Sequence, residues 1–454
     1  SALTYIPQNQ QLLYALALLF DGDTAARLLH LLCGVLLVAG TVASARLLGM
    51  SRCDAMVSAL LLLTVPTWIY LATSTYVDLA VANYSLACLY CLLVARRNGS
   101  TAWTVLAAMM AGMAMGCKYT AGVVLTAPAM ILAAAPARGA TGAGAAVRRA
   151  MLFATLSFLV LAPWLIRNFI WTGNPVAPSL MGLLGPPGVP TSTVNWPDVQ
   201  PGNPALFLRP LALLASVAQM YISFLDYGNF LPVLTPLAWV LALAGSQARR
   251  AAGPAEMRLI ISFLVLALVL GVPLGAVRRD SRYVMAHFAV AAVLTVFWWR
   301  HAVDTWPRHA RLLQRAGASL LAILIALWAL RSWVWFRDLK ETVLPPKWNE
   351  TRAAYLRARI PHYDALVALS GQIRPEHGRV LGASYPSRVP YVLGGAPLTA
   401  DLRVQQPEHV KPEHIAGLRR QNVRYLFGRI RDDLRPFVEE QGEFGGVTLW
   451  RLLD

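Results

Sequence analysis

Asp78-Leu-Ala-Val-Ala-Asn-Tyr-Ser-Leu-Ala-Cys-Leu-Tyr-Cys-Leu-Leu-Val-Ala95, closed by Arg96-Arg97, is the stretch on which the fold turns. A helix needs roughly 20 mostly apolar residues to cross about 30 Å of hydrocarbon. This run supplies them, with a carboxylate at one end and two guanidiniums at the other. The pattern recurs along the chain. Candidate spans centre near Leu36, Leu63, Leu86, Ala108, Pro128, Leu156, Trp239, Leu266, Val293 and Ile323, about ten in all. The run from Gln11 to Phe20 is too short to cross and reads as an interfacial helix. The stretch from Leu206 to Phe224 fits a surface helix or a further span.

Composition agrees with a membrane class. Of 454 residues, 57% are hydrophobic and 14% charged, against about a quarter charged in soluble domains. The net charge of +17 would suggest nucleic acid in a soluble protein. Here the charges punctuate apolar runs, as at Arg96-Arg97, Arg148-Arg149 and Arg249-Arg250, and form no basic stripe with interleaved aromatics. Nucleic-acid binding is excluded as a reading. Cys33, Cys53, Cys88, Cys91 and Cys117 lie in or beside apolar segments; Cys88 and Cys91 have a redox or zinc spacing but no second pair, and read as packing residues.

Basic residues collect on the cytoplasmic side of membrane proteins. With Ser1 outside, the inner loops hold Arg46/Arg52, Arg96/Arg97, Arg138/Arg148/Arg149, Arg249/Arg250/Arg258 and Arg300/Arg308/Arg311/Arg315. One basic cluster, Arg278-Arg279-Asp280-Ser281-Arg282, falls outside. The outer side also receives Gln8 and Asn9, the Tyr76–Asp78 turn, the tight Lys118 turn and a Pro/Gly-rich segment from about Arg167 to Gly228. From about Pro345 the character changes: more than half of the acidic residues lie in this last quarter. Tyr355 to Ile373 and His409 to Arg420 read as helices. Arg379 to Ala383, Val423 to Gly428 and Val447 to Leu452 read as strands. The fold class expected is an all-α polytopic transmembrane bundle (1–340) followed by a small α/β extracytoplasmic domain (341–454).

Cations that break the positive-inside pattern need a reason. Lys118 sits in a turn too short to leave the membrane surface, Arg167 follows Pro163-Trp-Leu-Ile166, and Arg279 and Arg282 flank Asp280. Together these four would form a phosphate cradle at headgroup level; singly, each snorkels or pairs with a lipid phosphate. Asp78 either caps its helix dipole or stands at the mouth of the bundle, positioning a sugar hydroxyl, a metal or the cations. The sequence requires no cofactor; a divalent cation stays open as one role of Asp78. No phosphate loop, Ser-His-Asp set, His-Glu-x-x-His or di-metal spacing is present.

The series Ile6-Pro-Gln-Asn9, Tyr14, Tyr76-Val-Asp-Leu79, Gly116-Cys-Lys-Tyr-Thr120, Pro163-Trp-Leu-Ile-Arg-Asn168, Thr172-Gly-Asn-Pro175 and Arg282-Tyr283 resembles bacterial GT-C class membrane glycosyltransferases. The resemblance is to the lipid-carrier branch near the protein O-mannosyltransferases and aminoarabinose transferases, and spans the chain to about Phe336. It implies a polyprenyl-phosphate sugar donor, transfer outside the bacterial cytoplasmic membrane with inversion, and a lipid, glycan or protein acceptor. It implies Lys118 and Arg282 near the carrier phosphate and Asp78 lining the cavity, with Gln8, Asn9, Tyr76, Tyr119, Arg167, Asn168, Arg279 and Tyr283 around them. The family's principal carboxylate is expected in a first outer loop upstream of Pro7-Gln-Asn9, before this chain begins. A flippase for a lipid-linked sugar and a non-catalytic envelope assembly subunit are the rival readings.

Overall fold

The computed structural model describes residues 5–122, 126–134, 142–177, 230–243, 285–342, 379–382, 410–420, 423–444 and 447–453, with the single positions Leu184, Arg282 and Arg357. Residues 2–330 form one compact unit and 331–454 another. Ten described helices of eight or more residues, or close to it, precede the sheet: α1 Asn9–Leu47, α2 Arg52–Leu63, α3 Pro66–Ala72, α4 Asp78–Asn98, α5 Thr101–Met115, α6 Ala127–Ala134, α7 Ala143–Thr172, α8 Leu231–Leu243, α9 Met285–Thr305 and α10 Ala310–Thr342.

The membrane reading holds, and the described residues account for part of the expected spans. Among the described residues five helices are long and apolar enough to cross: Thr24–Leu47 within α1, then α4, α7, α9 and Pro307–Trp333. The candidate near Leu63 is a broken pair, α2 and α3, bent by 74°; Val65 is extended and Pro66 opens α3 at its first turn, where its missing N–H costs nothing. The candidate near Ala108 is a helix of 15 residues, below the length a bilayer demands; those near Pro128 and Trp239 are helical over 8 and 13 described residues, and the residues that follow them lie outside the described ones. Leu266 and the stretch from 206 to 224 lie outside the described residues.

Helix α1 is continuous over 39 residues but not straight. Tyr14 and His30 would be about 24 Å apart along a straight helix, yet their ring centroids lie 6.1 Å apart. The axis therefore folds sharply between them. The arm N-terminal to the bend exposes Leu12, Leu13, Leu16 and Leu19 and buries Gln10 and Tyr14, as a one-sided interfacial helix does.

Small residues bring the remaining helices together. A Cβ on Gly112 of α5 would lie 2.5 Å from Val160 Cβ and 2.7 Å from the Ser157 carbonyl of α7. Beside that contact Ser157 Oγ donates to the Ala108 carbonyl at 3.1 Å. Close approach plus an interhelical hydrogen bond is how apolar helices associate without a hydrophobic driving force. Helix α9 is apolar all round and largely buried, a central helix; Thr295 meets Thr235 of α8 at 2.8 Å.

In the second unit four strands, β1 Arg379–Gly382, β2 Val423–Phe427, β3 Val438–Phe444 and β4 Val447–Leu452, pair in the order β1-β2-β4-β3. β1 and β2 are parallel; the other pairs are antiparallel. Val410, Ile415, Leu418, Val423, Leu426, Leu434 and Leu452 form the core. The helix expected from His409 begins later: a 3-10 turn at Pro412–His414 precedes Ile415–Arg420, because Pro412 holds Lys411 extended. Strand β3 was not expected from Val438-Glu-Glu-Gln-Gly-Glu-Phe444, which is poor in strand formers. It lies at the sheet edge with a bulge between Glu440 and Gly442, where charge is tolerated and discourages further pairing. The helix expected from Tyr355 to Ile373 falls outside the described residues apart from Arg357.

Candidate functional site

Helix ends, not helix middles, build the site. The starts of α1 and α4 and the ends of α5 and α7 meet through direct contacts. Asn9 N donates to the Gly116 carbonyl at 2.8 Å, and Trp164 Nε1 donates to Asn9 Oδ1 at 2.7 Å. Gly116 is there for space: a Cβ would overlap the Asn9 amide. Gly173, at φ +69°, closes α7 by donating to the Phe169 carbonyl, the left-handed stop that glycine favours. That stop leaves Arg167 and Asn168 in the last turns of α7.

Asp78 is the first residue of α4, in the helix's first turn. Its Oδ1 receives Lys118 Nζ at 2.7 Å; Asp78 is 4% exposed and Lys118 20%. Tyr76, two residues earlier, lies beneath the Arg282 guanidinium, 4.9 Å from the ring centroid. Its hydroxyl is 3.3 Å from that of Tyr70. Lys118 and Tyr119 are consecutive, and Tyr119 carries the site across to α7. Asn168 Nδ2 donates to Tyr119 Oη at 2.8 Å and to the Tyr5 carbonyl at 2.7 Å. Burial raises the Tyr119 phenol above its ordinary value, opposed by the Asn168 hydrogen bond and the charge of Arg167.

Arg167 is held from several sides. Its guanidinium lies 4.6 Å from the Trp164 ring centroid and 5.1 Å from that of Trp171. Its Nη2 donates to Asn168 Oδ1 at 3.0 Å and to the Ile6 carbonyl at 3.4 Å. This arrangement ties the segment before α1 to α7 and leaves a fixed positive charge beside Tyr119.

The structure thus brings Asp78, Lys118, Tyr76 and Arg282 together, and Asn9, Tyr119, Arg167 and Asn168 beside them. Gln8 takes the N-cap position of α1 without a side-chain capping bond. Arg279 and Tyr283 lie outside the described residues. Among the described residues no group of three His, Cys, Asp or Glu side chains is placed to hold a metal ion. At the opposite ends of α1, α4 and α7 lie Arg46, Arg96, Arg97, Arg148 and Arg149; Arg52 opens α2, and Arg300 of α9 has its Nε 3.1 Å from Asp54 Oδ1 of α2.

Residues 10–167 match the family of dolichyl-phosphate-mannose-protein mannosyltransferases, a stretch that contains Asp78, Lys118, Trp164 and Arg167. The structure is similar to that of ArnT from Cupriavidus metallidurans bound to undecaprenyl phosphate: TM-score 0.54 and 16% identity, over 98% of this chain and 87% of that one. The apo state of the same protein gives a TM-score of 0.52 at 15% identity, with the same coverage. The chain has the GT-C membrane glycosyltransferase fold. No curated protein matches it in sequence.

Within this site three residues escaped the sequence reading. Trp164 was read as part of an apolar run and of the Pro163-Trp-Leu-Ile-Arg-Asn168 motif and given no role of its own, although its indole fixes Asn9. Gln10 is fully buried, and among the described residues neither its amide nitrogen nor its oxygen has a hydrogen-bond partner. His30, buried in α1, accepts the Leu79 N–H at 3.3 Å. A polar side chain inside an apolar run was the available signal for Gln10 and His30.

Proposed function

We propose that the chain transfers a sugar from a polyprenyl-phosphate donor to a cell-envelope acceptor at the outer face of the bacterial cytoplasmic membrane. The observation that carries this reading is the gathering of Asp78, Lys118, Arg167 and Arg282 at the helix ends opposite the basic clusters. By the positive-inside rule the Arg-rich ends face the cytoplasm, which puts the site outside. The last turns of α7 expose Ile166, Phe169, Ile170 and Trp171, side chains suited to the headgroup boundary where a carrier phosphate lies.

The chemistry follows from charge. The acceptor attacks the anomeric carbon as the bond to the phosphate oxygen breaks, and the carrier phosphate leaves with the bonding pair. Fixed cations stabilise the charge gathering on that phosphate. Lys118 and Arg282 are placed for this role, with Arg167 adding field from beyond Tyr119. A carboxylate takes the acceptor's proton or holds a sugar hydroxyl, and Asp78 is the carboxylate of this site. The ArnT structure named for undecaprenyl phosphate supports the choice of carrier. The domain after α10 is read as extracytoplasmic on the same charge argument.

The test is transfer from a panel of polyprenyl-phosphate sugars in membranes containing the protein. Lys118→Ala and Arg282→Ala should each weaken donor use. Transfer at the wild-type level in both variants removes the carrier-site assignment. Movement of the donor across the bilayer without transfer makes the chain a flippase instead.

A further inference from the structure

Folded at its bend, α1 holds the backbone on both sides of Asp78. Tyr14, on the arm, donates its hydroxyl to the Tyr76 carbonyl at 2.6 Å. His30, past the bend, accepts the Leu79 N–H on Nε2 at 3.3 Å. We infer that Tyr14 and His30 are positioning residues that set the Asp78 carboxylate against Lys118. The inference rests on reading that ion pair as the centre of the site.

The first N–H groups of a helix have no partner within it. At α4 the N-cap is Val77, whose side chain offers no acceptor. His30 supplies one from another helix. As an acceptor, Nε2 carries no proton, so this contact assigns the proton to Nδ1 in a neutral ring. The Tyr14 bond fixes the peptide group that follows Tyr76, and the His30 bond fixes the one that follows Asp78. Asp78 therefore sits between two pinned peptide groups. The two pinning rings touch each other at a 37° tilt, so the grip acts as a unit. Both side chains are buried. Neither has a place in the proposed transfer chemistry, and a capping bond alone would have been met by Ser or Asp at position 77.

The decisive measurement is a double-mutant cycle on thermal unfolding of the purified full chain, with His30→Leu, Lys118→Met and both together. The Tm loss from Lys118→Met should shrink in the His30→Leu background, because the ion pair is already displaced. His30→Gln, which keeps an acceptor at that reach, should restore the full loss. Tyr14→Phe in the same cycle gives the milder test should His30→Leu fail to fold. Strictly additive losses in both cycles overturn the inference whatever the activity result. In the transfer assay, His30→Leu should lower kcat roughly tenfold to a hundredfold with little change in donor KM, as small displacements of catalytic groups do. A change in KM alone would also overturn it. Absence of transfer in the wild type sinks the function and leaves the unfolding cycle readable.

Discussion

Two ion pairs stand at opposite ends of the helical unit. Lys118 and Asp78 meet at 2.7 Å with 20% and 4% of their surfaces exposed. Arg300 and Asp54 meet at 3.1 Å with 49% and 16% exposed. The chemistry is alike and the surroundings are not. Asp54 is also served locally: Ser51, the N-cap of α2, accepts its N–H on Oγ and donates to its Oδ2, so the carboxylate keeps a partner whether or not Arg300 is present. Asp78 is buried among helix ends, where it pairs with Lys118. Taking both charges out of water is costly, and removing one then strands the other. The exposed pair gains little and loses little. One end of the bundle is therefore ordinary membrane-protein architecture, and the other carries a deliberate electrostatic arrangement.

Labelling separates the two ends most sharply. Cys53, beside Asp54, is exposed, while Cys117, beside Lys118, is buried. Burial also pushes the Cys117 thiol up to about 12, so almost no reactive thiolate forms near pH 8. A membrane-impermeant maleimide should modify Cys53 in inside-out vesicles and not in right-side-out ones. Cys117 should react in neither until the protein is denatured. Labelling of Cys53 from the outside would reverse the orientation. Next in size, Lys118→Met should cost about 3–5 kcal/mol of unfolding free energy by leaving Asp78 unpaired, read by denaturant titration in detergent. Gly116→Ala should cost about 1–3 kcal/mol, because the new methyl displaces Asn9 and with it the Trp164 bond. Smallest, Arg300→Ala should cost less than about 1 kcal/mol, and added salt should shrink even that. Equal losses at Lys118 and Arg300 would abolish the contrast.

Much of this was legible in one dimension. Apolar runs with basic residues at one end announced α4, α7 and α9. The misplaced cations Lys118, Arg167 and Arg282 do gather at one end of the bundle. What the sequence hid was partnership. Nothing about Arg167 says that two tryptophans one helical turn away on either side will hold it, or that it will spend donors on Asn168 and Ile6. The ring contact between Tyr14 and His30 depends on a bend that an apolar pattern does not record. The short helix α5 reads as a span because hydropathy counts residues and does not see where a helix stops. In the second unit β3 was missed for the opposite reason: an edge strand need not look like one, since half its hydrogen bonds and most of its side chains answer to water.

Asn9 and Gly116 cannot change independently. The lack of a side chain at one makes room for the amide of the other, and that amide is the acceptor for the Trp164 indole. An alanine at 116 becomes tolerable only with a smaller residue at 9, and the indole then loses its acceptor. Anyone reshaping this end of the protein has three positions on three helices that move as a set, and must redesign them together or leave them alone.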